Sequence, residues 1–175
     1  MRFIVFFMII GFQYLAYSNT TYKINDKDIK SFNTRFDVKP AENETIIYGV
    51  ISLKCPCSRD SLTAFQEVQH KWGAKTKLVV FDIGATNEEV FLKIKKSLNP
   101  SYDLRYDPSK SSVDLFKTLV TPSAYILKNN QILYQAAVID PGKNPSPNYL
   151  NKALGQIMNN KTAEEKQPFG CMIEK

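Results

Sequence analysis

The chain has 175 residues, 43% of them hydrophobic and 23% charged, and a formal net charge of +6. Its lysines are scattered apart from a small cluster at Lys93, Lys95 and Lys96, and no aromatic-interleaved basic stripe runs along it, which argues against nucleic acid as a partner. Three cysteines are an odd number and too few for a stapled secreted scaffold, and a single histidine leaves zinc, cysteine-protease and serine-triad chemistry short of ligands and bases.

Residues 1–18 read as an export signal. Arg2 supplies a positive start, Phe3 to Ile10 is continuously apolar, and Ala16-Tyr17-Ser18 is a small-x-small cleavage site. The apolar stretch is shorter than the roughly 20 residues a spanning helix needs. The expectation is therefore a periplasmic or secreted protein with no stable membrane insertion after cleavage. About 157 residues remain, enough for one domain with a sizeable core.

Residues 19–43 form a polar N-terminal extension, with weak strand hints at Tyr22 to Ile24 and Phe36 to Val38. The main domain is placed at residues 44–159 and a polar tail at 160–175. Ile46 to Leu53 reads as a buried strand. From Ser58 to Trp72 apolar residues recur at Leu62, Phe65, Val68 and Trp72, one stripe of a helix that Ser58 or Asp60 can cap. Lys77 to Ile83 is a second buried strand. Thr86-Asn-Glu-Glu89 is a capping signal for a helix carrying Val90, Phe91, Ile94 and Leu98. Tyr102 to Tyr106 is a short strand or loop, and Asp107-Pro-Ser opens a third helix. Ser123 to Leu127 and Gln131 to Val138 flank Asn129-Asn130 as a hairpin, and Asn148 to Met158 is the last helix. This order predicts an α/β fold with a central mixed sheet and helices on both faces.

Cys55-Pro56-Cys57 falls where the first strand gives way to a helix. A helix N-terminus favours negative charge, so a thiol there is drawn toward the thiolate, the form that attacks disulfides and binds soft metals. Two residues apart, Cys55 and Cys57 are separated by about 5–7 Å at Cα, so a bond between them requires Pro56 to bend the chain. Cys171, in Phe169-Gly-Cys-Met-Ile173, lies about 12 residues beyond the last helix, a reach of roughly 40 Å when extended. It can act as a resolving thiol, pair with another copy, or pack locally. Which cysteines pair stays open at this level. Cys57 lies nearer the helix N-terminus, and Arg59 is a candidate source of positive potential. His70 lies about 20 Å along the helix from Cys57, too far to share a metal with it. Asp82 and Asp140 end strands, as proton relays or as turn residues.

The order of elements resembles the thioredoxin-like fold, in particular its redoxin branch with the alkyl hydroperoxide reductase–thiol-specific antioxidant (AhpC/TSA) proteins. Four segments carry the match: the strand leading into Cys55-Pro56-Cys57-Ser58-Arg59, Leu104-Arg-Tyr-Asp-Pro108, Val120-Thr121-Pro122-Ser123, and the hairpin Ile126 to Tyr134. The Gly170-Cys171 tail is similar to that of some exported redoxin-like proteins. The resemblance implies Cys55 as the nucleophile, since the more common cysteine of the branch stands directly before this proline position, and it implies that Pro122 is a cis-proline beside the thiols. It also implies that Thr121, with Pro122 and Pro56, contacts an extended substrate held as an added strand. The chain departs from the pattern in its Cys-x-Cys spacing. It also has Ser52 where peroxiredoxins place a threonine, three residues before the attacking cysteine.

Together these readings give an exported thiol-disulfide oxidoreductase working through Cys55, Cys57 and Cys171 on protein or small-molecule disulfides, with no cofactor. The alternatives are a copper carrier using the same three thiols as Cu(I) ligands, a thiol peroxidase, and a redox-inactive interaction module.

Overall fold

Alternation along the central strands sets the layers. In β1 (Thr45–Ile51) every residue is buried, with Ile47 and Ile51 facing one core while Ile46, Tyr48 and Val50 face the other. In β2 (Thr76–Asp82), Leu78 and Val80 join the first core and Val79 and Phe81 the second. A strand apolar on both sides must be covered on both sides. The structure is a computed structural model and describes residues 23–174 apart from 141 and 144. The signal-like segment 1–18 lies outside the described residues. Among the described residues no helix is long and apolar enough to cross a membrane.

The main sheet has five strands in the order β3-β2-β1-β5-β6, with β3 at Asp103–Tyr106, β5 at Ser123–Lys128 and β6 at Gln131–Ala136. β1, β2 and β3 are parallel, and β5 and β6 run antiparallel to them as a hairpin. The turn Asn129-Asn130 takes two left-handed residues, a conformation asparagine tolerates. On one face lie α2 (Pro56–Trp72) and α5 (Tyr149–Met158), through Ala64, Phe65, Val68, Leu150, Ala153 and Leu154, with Phe91 of α3 (Glu88–Leu98) in the same core. Gly49 in β1 makes room for α2, because a Cβ there would stand 2.8 Å from Cζ of the buried Phe65 ring. Two side-chain bonds tie α2 to α5: Trp72 Nε1 donates to Asn151 at 2.8 Å, and Asn148, the cap of α5, donates to the Ala64 carbonyl at 3.1 Å.

The other face is covered by α1 (Asp26–Arg35) and α4 (Ser111–Phe116). Their core is aromatic: Phe32 meets Phe81 edge-on at 5.0 Å, and Phe116 stacks on Tyr125 at 4.4 Å. Tyr48 donates its hydroxyl to Asn33 of α1 at 2.7 Å.

Two local expectations are corrected here. The extension is not a pair of strand hints around a polar linker. Asn25 caps α1, Ile29 and Phe32 of that helix are buried, and among the described residues of the extension strand-like pairing is a single bridge from Lys23 to Gln131, Tyr22 lying outside them. Two apolar residues on a polar helix are a faint periodic signal, and they are stabilised by the sheet face they cover. The tail, read as polar throughout, ends in a strand. β4 (Val120–Thr121) pairs antiparallel with β7 (Cys171–Met172) in a separate two-stranded sheet.

Candidate redox site

The site begins at the C-terminal end of β1. Asp82, at the end of β2 and fully buried, accepts from the backbone N–H groups of Leu53 (3.0 Å), Gly84 (2.9 Å) and Ala85 (3.2 Å). It thereby fixes the two loops that leave the parallel strands. Burial raises its pKa above the usual carboxylate value, against the opposing pull of those three donors. Ser58, also fully buried, accepts from the Ser52 N–H at 3.1 Å, and the Cys55 N–H donates to the Ser52 carbonyl at 2.8 Å. The short path from strand to helix is thus pinned at both ends.

Helix α2 starts earlier than its apolar stripe indicates. Cys55 is its N-cap residue and Pro56 its first helical residue, a position where the missing N–H of proline costs nothing. Cys57 stands in the first turn, and that turn has no acidic side chain. Negative charge on sulfur here meets the positive end of the helix without a competing carboxylate. Arg59, one turn on, is exposed. His70 is exposed in the last turn of the same helix, far along it from the thiols.

Cys55 is bonded to Cys171, across 116 residues of sequence and 6.2 Å between Cα atoms. Cys57 is a free thiol of intermediate exposure. The small ring joining Cys55 to Cys57 is not formed, although all three sulfurs lie within 4.8 Å of one another. The Thr121–Pro122 peptide is cis, and Thr121 and Pro122 are buried beside the bond. The Cys55 sulfur is 3.7 Å from the Thr121 carbonyl oxygen. Thr121 pairs with Cys171 and Val120 with Met172, and the Ile173 N–H donates to the Leu119 carbonyl at 3.0 Å. Cys55, Cys57, Cys171, Thr121, Pro122 and Pro56 are therefore gathered at one place.

The tail reaches this place along a tethered route. Lys161 N–H donates to Gln156, Glu164 pairs with Lys152 and Lys166, and the Lys166 carbonyl accepts from Ala137 at 2.9 Å. The two lysines hold the Glu164 carboxyl down at about 2. Asp140 lies in a turn, paired with Lys143 and accepting from Tyr149, and Lys143 lowers its pKa.

Gly170 also belongs to the site. A Cβ there would lie 1.9 Å from the Thr121 carbonyl oxygen and 3.0 Å from Cδ of Pro122. The requirement is for space, since no described glycine has positive φ. Its only trace in the sequence is the Gly-Cys pair itself.

Comparison with solved structures gives the fold its class. An uncharacterised conserved protein from Geobacillus kaustophilus matches with a TM-score of 0.65 at 16% identity, over 76% of this chain and 78% of that one. A hypothetical protein from Sinorhizobium meliloti matches with a TM-score of 0.62 at 17% identity, over 75% and 80%. A protein provisionally described as the thiol:disulfide interchange protein DsbE from Chlorobium tepidum matches with a TM-score of 0.55 at 16% identity, over 67% and 79%. No protein-family model and no curated protein matches the sequence. The chain has a thioredoxin-like fold, with a mixed five-stranded sheet and helices on both faces.

Proposed function

We propose that this chain is an exported thiol-disulfide oxidoreductase, with Cys55 as the exchanging sulfur and protein thiols or disulfides as its partners. The observation that carries the reading is the Cys55–Cys171 bond, set at the start of α2 and against the cis Thr121–Pro122 peptide. In the reducing direction, the Cys55 thiolate attacks a partner disulfide. One partner sulfur leaves as thiolate and the other stays bonded to Cys55. The Cys171 thiolate then attacks the Cys55 sulfur, releases the second partner thiolate and restores the Cys55–Cys171 bond. The partner gains two electrons and the chain loses two; the oxidising direction is the reverse. Cys57, within 4.8 Å of both other sulfurs, completes the cluster as a free thiol.

The test is insulin reduction by dithiothreitol, with and without the protein. Turnover is expected for the parent chain and absent in Cys55→Ser. Turnover unchanged in Cys55→Ser would overturn the reading.

A second reading rests on the sulfur cluster. A trigonal metal site with bonds of ~2.3 Å places its sulfurs about 4 Å apart, and the three sulfurs here lie within 4.8 Å. Soft thiolates select Cu(I). Cys55 and Cys171 cannot ligate while bonded to each other, so a copper role belongs to the reduced chain. Titration of reduced protein with Cu(I) against a competing chelator separates the two. Tight binding without redox turnover favours the carrier.

A further inference from the structure

The last strand occupies the edge of β4 that an extended partner would need. β7 runs antiparallel to Val120–Thr121, places its cysteine opposite Thr121, and bonds that cysteine to Cys55. This is the geometry of a mixed disulfide between Cys55 and a bound peptide, supplied by the chain itself. We infer that Gly170-Cys171-Met172 is a built-in stand-in for substrate, and that the partner is an extended protein segment with glycine immediately before its reactive cysteine. The inference rests on the oxidoreductase reading and adds to it the shape of the partner.

Three observations converge. First, the position before the cysteine faces the Thr121 carbonyl so closely that a Cβ would sit 1.9 Å from its oxygen and 2.7 Å from its carbon. Those are backbone atoms of a buried residue next to a cis-proline, and they cannot turn aside as a flexible side chain can. Any peptide that takes this register meets the same wall, so glycine is selected at that position.

Second, the strand is held over only a few residues. The tail is anchored at Lys166, through its carbonyl to Ala137, and again from Cys171 to Ile173. Gln167, Pro168, Phe169 and Gly170 span the interval. Once the Cys55–Cys171 bond is reduced, β7 retains a two-residue pairing, the Ile173–Leu119 bond and a contact from Lys110 to the Glu174 carbonyl. So short a ladder is readily exchanged.

Third, apolar side chains are exposed at this end: Leu119 is 61% exposed, Phe169 63% and Met172 74%. A partner with apolar residues flanking its Gly-Cys pair finds matching surface on Leu119, next to β4, and on the displaced tail.

Partner and tail thus compete for one edge. The partner disulfide docks on β4 when the tail is reduced and off. The Cys55 thiolate attacks the partner cysteine that follows glycine, and the partner's other sulfur leaves as thiolate. The Cys171 thiolate attacks Cys55, the partner cysteine leaves as thiolate, and β7 returns to the edge it vacated.

The test uses reduced full-length Cys171→Ser protein and two peptides, Phe-Gly-Cys-Met-Ile and Phe-Ala-Cys-Met-Ile, each activated as a mixed disulfide with thionitrobenzoate. Release of the coloured thiol gives the rate, and mass spectrometry locates the peptide on Cys55. The glycine peptide is expected to react at least about tenfold faster, a modest consequence of overpacking against backbone. Equal rates with a chain that reacts readily would overturn the substrate inference and leave the oxidoreductase reading standing. No reaction of Cys55 with either peptide or with free dithionitrobenzoate would overturn both. A second variant, Gly170→Ala in the otherwise intact chain, is expected to lower by about tenfold the dithiothreitol needed to open Cys55–Cys171, with the far-ultraviolet spectrum preserved. An unchanged requirement would overturn the selection for glycine before the partner cysteine.

Discussion

The two sheets of this molecule are held in different ways. The five-stranded sheet is fastened by packing: β1 is buried along its whole length, paired on both edges and covered on both faces. The two-stranded sheet is fastened by one covalent bond and a few backbone contacts, and its outer residues are exposed. We expect the first to hold its shape in either redox state and the second to loosen when the Cys55–Cys171 bond opens.

The largest effect is expected from the platform. Phe65→Ala removes a fully buried ring against Gly49 and should cost about 3–5 kcal/mol of stability, measured by denaturant unfolding of the oxidised protein. A cost near zero would mean that the platform is not the packed body described here.

Next comes the bond itself. Reduction, or Cys171→Ser, frees a loop closed over 116 residues and should lower stability by ~2–4 kcal/mol. The sharper readout is hydrogen exchange in the reduced protein. Protection should vanish at Val120, Thr121, Cys171 and Met172, and persist in β1 and β2. Loss of protection throughout would erase the distinction between the two sheets.

Asn148→Ala is smaller, about 1 kcal/mol, because it removes the α5 cap and its bond to α2. It should leave the reducibility of Cys55–Cys171 unchanged, since it loosens the platform and not the clasp. A shift in reducibility would show that the two regions are coupled.

The smallest effect concerns Asp82, where the platform meets the thiol loop. Its folded pKa is raised by burial, so the folded state keeps a proton that the unfolded chain has released above its ordinary value of 3.8. Its contribution to stability is present below that value and is lost as pH rises through the elevated folded value. Asp82→Asn should flatten the pH dependence of stability in that window. An identical slope in the variant would place the carboxylate in a more solvated setting.

Much of the platform was legible in the sequence because its signals are local. The apolar runs of β1 and β2, the stripe of α2, the Asn87 cap of α3 and the Asn-Asn turn each depend on residues a few positions apart. The placing of Cys55 and Cys57 where β1 gives way to α2 was legible for the same reason, whereas the cis step at Thr121-Pro122 was legible only through the resemblance in element order. Helix α1 was not, because its two apolar residues, Ile29 and Phe32, acquire meaning only against Tyr48, Phe81 and Phe116. Nor was the start of α2, since an N-cap cysteine followed by proline carries no apolar period.

By itself the sequence determined where the strands of the main sheet and the helices α3 and α5 form and that two thiols stand at a strand-to-helix junction, because periodicity and capping act over one or two turns of chain. Only the tertiary structure decided that Cys171 and not Cys57 holds Cys55, that the tail becomes a strand on β4, and that Gly170 must be glycine. Each of these depends on atoms about fifty to more than a hundred residues apart, and their approach is set by the packing of the whole sheet.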